Sequence, residues 1–279
     1  MTVDHDIRVI GFDLDGTLLK DDKTISEHTR TVLKKATDKG IHVLPATGRV
    51  CLGIPDFLRN MEGIRYGICS NGAAVIDFET GEEIYSCRIS HENAMKMLDI
   101  MMKYNTMYDA YIDGKGYLEE RFYVRLDQYG IENEIKQVVE RTREVIDSLR
   151  TFLLDGEKQV EKFNMFFSNP EDRQKAWDEI TKLPFVKVTS SLYNNIEINA
   201  ADCNKGTALT GFARKFGYTS EQIMGFGDGN NDYDMIVMSG VGVAMKNAID
   251  ILKEVADYIT DTNEEDGVAK AIEHFCFLE

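Results

Sequence analysis

A chain of 279 residues with a formal net charge of −16 and 43% apolar residues can bury a sizeable core in one or two domains. Its acidity excludes a general binder of nucleic acid or anionic membranes, although a lysine or a metal can reverse the field inside one cleft. No apolar run reaches bilayer length, Met1–Asp6 lacks the basic-then-apolar order of a secretory signal, and five scattered cysteines (Cys51, Cys69, Cys87, Cys203, Cys276) lack Cys-x-x-Cys spacing, so a cytoplasmic protein with reduced thiols and no structural zinc is expected.

The first predicted element is a buried strand, Val9–Phe12, running into Asp13-Leu14-Asp15-Gly16-Thr17-Leu18. Residues two apart on a strand face one side, so Asp13 and Asp15 can converge on one ligand. Ser26 reads as the N-cap of a helix with Val32, Leu33 and Ala36 as its buried stripe and Gly40 as its stop. A second strand over residues 41–44 ends at Thr47-Gly48-Arg49. A helix over 51–60 and a third strand, Tyr66–Cys69, follow, the latter ending at Ser70-Asn71-Gly72-Ala73. This alternation predicts an α/β fold with a Rossmann-like parallel sheet carrying helices on its faces. Residues 74–78 and 83–86 then read as a hairpin around Glu79-Thr80-Gly81-Glu82.

From about residue 87 the pattern changes to α+β. Helices are predicted over 92–103, 133–149 and 173–181, and strands over 107–112, 116–119, 160–167, 185–190 and 195–199. This stretch has no nucleotide or metal motif and reads as a domain, 86–197, inserted into a core of 1–85 and 198–279. Hinges are expected near residues 85–88 and 195–199. Tyr108, Tyr111, Tyr117 and Arg121 are conceivable substrate contacts, with ordinary packing the commoner role for such residues. Strand–helix alternation returns at Lys205, with helices over 206–216, from 231, over 249–255 and 268–275, and strands at 223–227, 241–245 and 258–259.

Ligands of open parallel sheets bind beyond the carboxyl ends of the strands. Asp13, Asp15, Thr47, Asn71 and Gly227-Asp228-Gly229-Asn230-Asn231-Asp232 fall at such ends, and Lys205 opens a helix. Asp228 with Asp13 can form an oxygen cage for Mg²⁺. Thr47 offers a hydroxyl, and Gly48 after it allows close approach of a backbone N–H to an anion. Lys205 can serve phosphate oxygens or a nucleophilic carboxylate. Asn231 can donate an amide hydrogen bond, and Asp232 can either orient Lys205 or reach the metal through water. Gly225-Phe226-Gly227-Asp228-Gly229-Asn230 is no dinucleotide loop, because Asn230 stands where the final glycine is needed. The histidines (His5, His28, His42, His91, His274) have no ligand-like spacing.

Taken together, four stretches resemble the haloacid dehalogenase superfamily: Phe12-Asp13-Leu14-Asp15-Gly16-Thr17-Leu18, Thr47-Gly48-Arg49, Asn204-Lys205-Gly206, and Gly227 to Asp232. Tyr233-Asp234-Met235 and Ser70-Asn71-Gly72-Ala73 are similar to its Cof-like branch, whose C2-type cap lies where the insertion falls. The resemblance implies that Asp13 attacks phosphorus and that Asp15 is the acid and base. It also implies Mg²⁺ held by Asp13, the Asp15 carbonyl and Asp228. Phosphate would be contacted by the Leu14 backbone, Thr47, Gly48, Lys205 and Asn231. Four carboxylates (Asp13, Asp15, Asp228, Asp232) against Mg²⁺ and Lys205 leave about one excess negative charge, so one carboxylate should hold a proton, and Asp15 is the natural one.

The function expected is removal of phosphate from a small metabolite, sugar phosphates first, with pyridoxal phosphate or a flavin precursor as alternatives. A phosphomutase-type transferase and a non-catalytic sensor of a phosphorylated ligand are the other readings, and Asp15 argues against the sensor. The inserted domain is expected to close over the site. Both monomer and homodimer fit the sequence.

Overall fold

In the computed structural model, residues 6–277 are described, apart from the side chain of Glu134. The amino-terminal stretch before Asp6, including His5, lies outside the described residues. In chain order the strands are β1 (Val9–Phe12), β2 (His42–Pro45), β3 (Tyr66–Cys69), β4 (Ala74–Asp77) and β5 (Glu83–Ser86). Next come β6 (Met107–Ile112), β7 (Lys115–Glu119), β8 (Arg143–Ile146), β9 (Lys162–Phe166), β10 (Val186–Thr189) and β11 (Asn195–Ala200). The last three are β12 (Ile223–Gly227), β13 (Val241–Ala244) and β14 (Tyr258–Ile259). Among the described residues no helix is long and apolar enough to cross a membrane.

The chain divides into two compact units. The first comprises residues 1–48, 54–86 and 204–279 and is built on a parallel sheet ordered β14-β13-β12-β1-β2. β1, β12 and β13 are buried along their whole length, as expected for strands with helices on both faces. The helix Glu27–Asp38 starts where Ser26 accepts from Thr29 N, buries Val32, Leu33 and Ala36, and stops before Gly40 at φ +79°. Helix Lys205–Lys215 packs Ala208, Leu209 and Phe212 into one cluster with Val9, Leu44, Ile68 and Ile223.

Two expectations for the residues ahead of Cys87 change. β3 pairs antiparallel with β4, and β4 with β5, in a separate three-stranded sheet. β3 meets the parallel sheet through a parallel bridge between Ala46 and Ile68, where Thr47 N donates to Ile68 O at 2.9 Å. The helix expected over 51–60 breaks into a 3₁₀ turn, Cys51–Gly53, and a short helix, Asp56–Arg59, because Pro55 has no N–H to continue the ladder.

The second unit, residues 49–53 and 87–203, carries a six-stranded sheet ordered β10-β11-β9-β6-β7-β8, antiparallel except between β7 and β8. Its core gathers Met97, Leu98, Met101, Phe163, Met165 and Ile198. Asp109, Asn164 and Glu197 stand in register across β6, β9 and β11 and therefore share one face. Buried charges on this sheet are paired: Arg143 Nε donates to Asp109 at 2.8 Å, and Lys162 lies 3.3 Å from Glu197. Unpaired, each would carry a large desolvation cost.

The single helix expected over 133–149 is instead a helix, Asn133–Thr142, then β8, then a helix, Leu149–Leu154, capped by Ser148. Arg143–Ile146 extends because it finds a partner in β7. A hinge at 195–199 does not fit either, since those residues are paired inside β11, which runs to Ala200. The return to the first unit falls at Asn204 rather than at 198. The four side chains considered as substrate contacts are engaged locally. Arg121 donates to the Tyr108 hydroxyl and pairs with Glu119, Arg143 donates to the Tyr111 hydroxyl, and Tyr117 packs on Phe152.

Candidate active site

β1 is held to β12 through its last turn of backbone, where Asp13 N donates to Phe226 O at 3.1 Å. Leu14 is fully buried, and its carbonyl accepts from Leu19 N at 2.8 Å, so the chain folds back at once and keeps Asp13 and Asp15 beyond the sheet edge. Gly16 adopts φ +80°, and a Cβ there would lie 2.4 Å from Asp228 Oδ2. Glycine is required on both counts.

β12 ends at Gly227, where a Cβ would lie 2.2 Å from the Cβ of Asp232. That close approach lets Asp232 fold back over the strand end, and its Oδ2 accepts from the backbone N–H of Asp228 (3.0 Å) and of Gly229 (2.9 Å). Its Oδ1 accepts from Lys205 Nζ at 2.7 Å. Lys205 is the first residue of its helix, fixed by a capping box in which Asn204 accepts from Thr207 N and Thr207 accepts from Asn204 N. The fully buried ammonium also donates to Asp13 Oδ1.

This packing sets the electrostatics. Burial pushes the Asp13 carboxyl well above the usual range against the pull of Lys205, and the charges of Asp232 and Asp228 add to the push. Burial and Asp232 likewise raise Asp228 to about 6, although Thr17 and Lys205 oppose them. Burial disfavours the charge of Lys205, but Asp13 and Asp232 outweigh it and keep the ammonium protonated. The carboxyls lifted by their surroundings are thus Asp13 and Asp228.

One carboxylate oxygen from each of Asp13, Asp228 and Asp232 lies within 4.8 Å of the others. An all-oxygen donor set of this kind suits a hard divalent cation. Asp232 spends its oxygens on Lys205 and two backbone N–H groups, so the carboxylates of Asp13 and Asp228 are the better placed of the three to meet a cation directly. The residues present fit a bound Mg²⁺.

Beside this cluster, Thr47 O accepts from Asn71 N at 3.0 Å, and Asn71 Oδ1 accepts from Asn231 Nδ2 at 3.3 Å. Ser70, Asn71 and Gly72 all take positive φ (53°, 57° and 99°), a strained run of the kind kept where position matters. Gly48 follows Thr47, half-buried. Asp15 stands apart from the carboxylate cluster, at the surface, with its Oδ1 accepting from Lys23 Nζ at 3.0 Å.

Three supporting residues escaped the sequence reading. Thr17 donates to Asp228 Oδ1 at 2.7 Å, Lys23 reaches Asp15 from a left-handed turn position, and Asn247 donates to the Gly16 carbonyl at 2.7 Å. Thr17 lay inside the first motif and was open to discovery there. Lys23 and Asn247 sit in ordinary polar loops with no local signal. None of the described histidines joins the site: His42 packs among Tyr66, Phe212 and Phe216, His28 meets Glu273, His274 stacks on Tyr258, and His91 meets the Lys158 carbonyl.

Residues 10–272 match the haloacid dehalogenase-like hydrolase family. The chain belongs to that family. Among its relatives is the 5-amino-6-(5-phospho-D-ribitylamino)uracil phosphatase YcsE of Bacillus subtilis, 34% identical over 98% of this chain and 97% of that protein. Phosphatase YwpJ of the same organism is 28% identical over 96% of this chain and 99% of its own length. A haloacid dehalogenase-like hydrolase of B. subtilis superposes with a TM-score of 0.82 at 28% identity, covering 96% of this chain and 99% of its own. The subclass IIB sugar phosphatase BT4131 superposes with a TM-score of 0.79 at 25% identity, covering 97% and 100%. This haloacid dehalogenase-like hydrolase is a phosphatase, and its four motifs supply the residues gathered at the sheet edge.

Proposed function

We propose that this phosphatase is a Mg²⁺-dependent phosphohydrolase that takes phosphate from a small phosphorylated metabolite through an aspartyl-phosphate intermediate. The observation that carries the reading is the buried Lys205, shared by Asp13 and Asp232, with an Asp228 oxygen in the same cluster. Mg²⁺, when bound, would be held by Asp13, the Asp15 main-chain carbonyl and Asp228, and would offset phosphate charge that a net −16 chain otherwise repels. Asp13 attacks phosphorus with a carboxylate oxygen while the bond to the leaving oxygen breaks, and Asp15 gives that oxygen its proton. Asp15 then takes a proton from water as the water attacks the aspartyl-phosphate, releasing inorganic phosphate and restoring Asp13. The Leu14 N–H, Thr47, Gly48, Lys205 and Asn231 hold phosphate oxygens, and Asn71 sets the amide of Asn231. The inserted unit selects the substrate.

A phosphorylated sugar or sugar alcohol is the substrate class favoured here, since one relative is named a 5-amino-6-(5-phospho-D-ribitylamino)uracil phosphatase and one solved neighbour a sugar phosphatase. The test is phosphate release from a panel of sugar phosphates, 5-amino-6-(5-phospho-D-ribitylamino)uracil and pyridoxal phosphate, with Mg²⁺ and with a chelator. Release that needs Mg²⁺ and is fastest on a polyol phosphate supports the proposal. Equal rates in chelator overturn it.

Two further outcomes follow from the cluster. Because Asp13 and Asp228 hold their protons more tightly than ordinary carboxylates, a cation must displace those protons. Mg²⁺ affinity is therefore expected to rise between pH 6 and pH 8, with proton uptake by buffer seen in calorimetry. An affinity flat across that range would contradict it. Gly16→Ala should push Asp228 out of place and weaken Mg²⁺ binding by about 10–100-fold, read by the same titration.

A further inference from the structure

The polypeptide passes from the first unit to the second at Cys87 and returns after Cys203, so a cysteine stands at each of these crossings. Backbone pairing brings the crossings together. Val160 exchanges both hydrogen bonds with Ile89 (2.8 and 3.0 Å), just before the stretch of β9 that pairs with β11, and Asn199 near the end of β11 donates to the Glu161 carbonyl at 2.8 Å. Arg88 adds an ion pair to Glu161 at 3.8 Å. Both crossings therefore lie against residues 160–163, and the Cys87 and Cys203 side chains meet there in a hydrogen bond. All five cysteines are thiols. Cys87 is half-buried and Cys203 is 2% exposed, so Cys87 is the more accessible thiol of the pair.

We propose that Cys87 and Cys203 are an oxidisable pair, and that their disulfide ties the two crossings together and slows turnover. The co-reactant is a low-molecular-weight disulfide such as oxidised glutathione. The Cys87 thiol gives up its proton, and its sulfur attacks one glutathione sulfur and expels the other as thiolate. Cys203 then gives up its proton and attacks the Cys87 sulfur of the mixed disulfide, expelling the second glutathione thiolate. The two released protons match the two expelled thiolates. The pair loses two electrons and oxidised glutathione is reduced to two thiols. The hydrogen bond with Cys87, with burial added, holds the Cys203 proton tightly, which makes the second step the slow one. Segments that connect moving units must change backbone angles, and a bond between them restricts that change.

The test treats the full chain with oxidised glutathione, maps peptides without reduction, and follows phosphate release before and after dithiothreitol. The expected result is a Cys87–Cys203 cross-linked peptide, a several-fold fall in turnover and a raised midpoint of thermal unfolding, all reversed by dithiothreitol. Cys87→Ser, at the half-buried position, should keep the reduced protein's activity and show none of these changes. A Cys87–glutathione adduct without the cross-link, or a cross-linked protein that turns over at the reduced rate, would overturn the proposal. The peptide map reads the bond whether or not the substrate assignment is right.

Discussion

Asp13→Asn is expected to lower phosphate release by about 10⁴–10⁶-fold, the loss typical of removing an attacking group. It should leave the fold intact and, at neutral pH, more resistant to denaturant. The sign follows from the position of Asp13. Its folded-state pKa is raised above the unfolded value, so ionising it costs stability once the pH passes the unfolded value, and the amide removes that cost. Asp232 continues to pair Lys205 in the variant, so no charge is stranded. Activity and urea denaturation measured on one preparation check both halves. A variant that unfolds at lower urea than wild type would show that Asp13 is held for structure. The exchange of stability for function is a common property of reacting groups packed away from water.

Lys205→Ala should be damaging in a different way. The ammonium is the shared counter-charge of two buried carboxylates, and its removal leaves Asp13 and Asp232 facing each other without it. Breaking a buried pair in this manner costs about 3–5 kcal/mol. The deficit should shrink as the pH falls from 8 to 5. Protonation of Asp13, whose carboxyl burial already lifts well above the usual range, relieves the repulsion in the folded variant, whereas the unfolded chain has no such relief to gain. Phosphate release should fall below detection at every pH. Denaturant midpoints for wild type and variant at both pH values provide the check, and a deficit that does not depend on pH would mean that the lysine acts by packing alone.

The carboxylates, the lysine and the strand ends that carry them were legible because each depends on local chemistry. Val9–Phe12 is buried throughout, and the chain reverses immediately after it, so Asp13 could only fall at a sheet edge. Lys205 reads in sequence as the start of a helix, and the fold caps that helix with Asn204. What could not be read depends on partners distant in sequence. Arg143–Ile146 has helix-forming residues on both sides and extends only because β7 accepts it. β3 keeps one parallel bridge, Ile68 to Ala46, toward the main sheet, but its long pairing is antiparallel with β4, a partner that its own residues do not announce. Lys23 and Asn247 matter through which loops they meet, Asp15 in one case and the Gly16 carbonyl in the other, and nothing in their own neighbourhoods names those partners. Asp232 reads in sequence as open between two roles, and in the fold it accepts from Lys205 and from the backbone N–H groups of Asp228 and Gly229, contacts that depend on which strand ends meet.

The register of β1 against β12, Val9 opposite Ile223 and Phe12 opposite Phe226, also governs the order in which the molecule can be made. During synthesis β1 emerges before β12 and can pair with β2, but its other edge has no partner until more than two hundred further residues have left the ribosome. Contacts so far apart in sequence slow folding, because a long stretch of chain must be ordered before they form. Lys205, Asp228 and Asp232 arrive only at that late stage, so the nascent protein carries Asp13 and Asp15 without the groups that complete their cluster. Every chain that stops short of β12 therefore lacks Asp228 and Asp232 and is left with an open strand edge, and the assembly of the carboxylate cluster coincides with the pairing of β1 and β12.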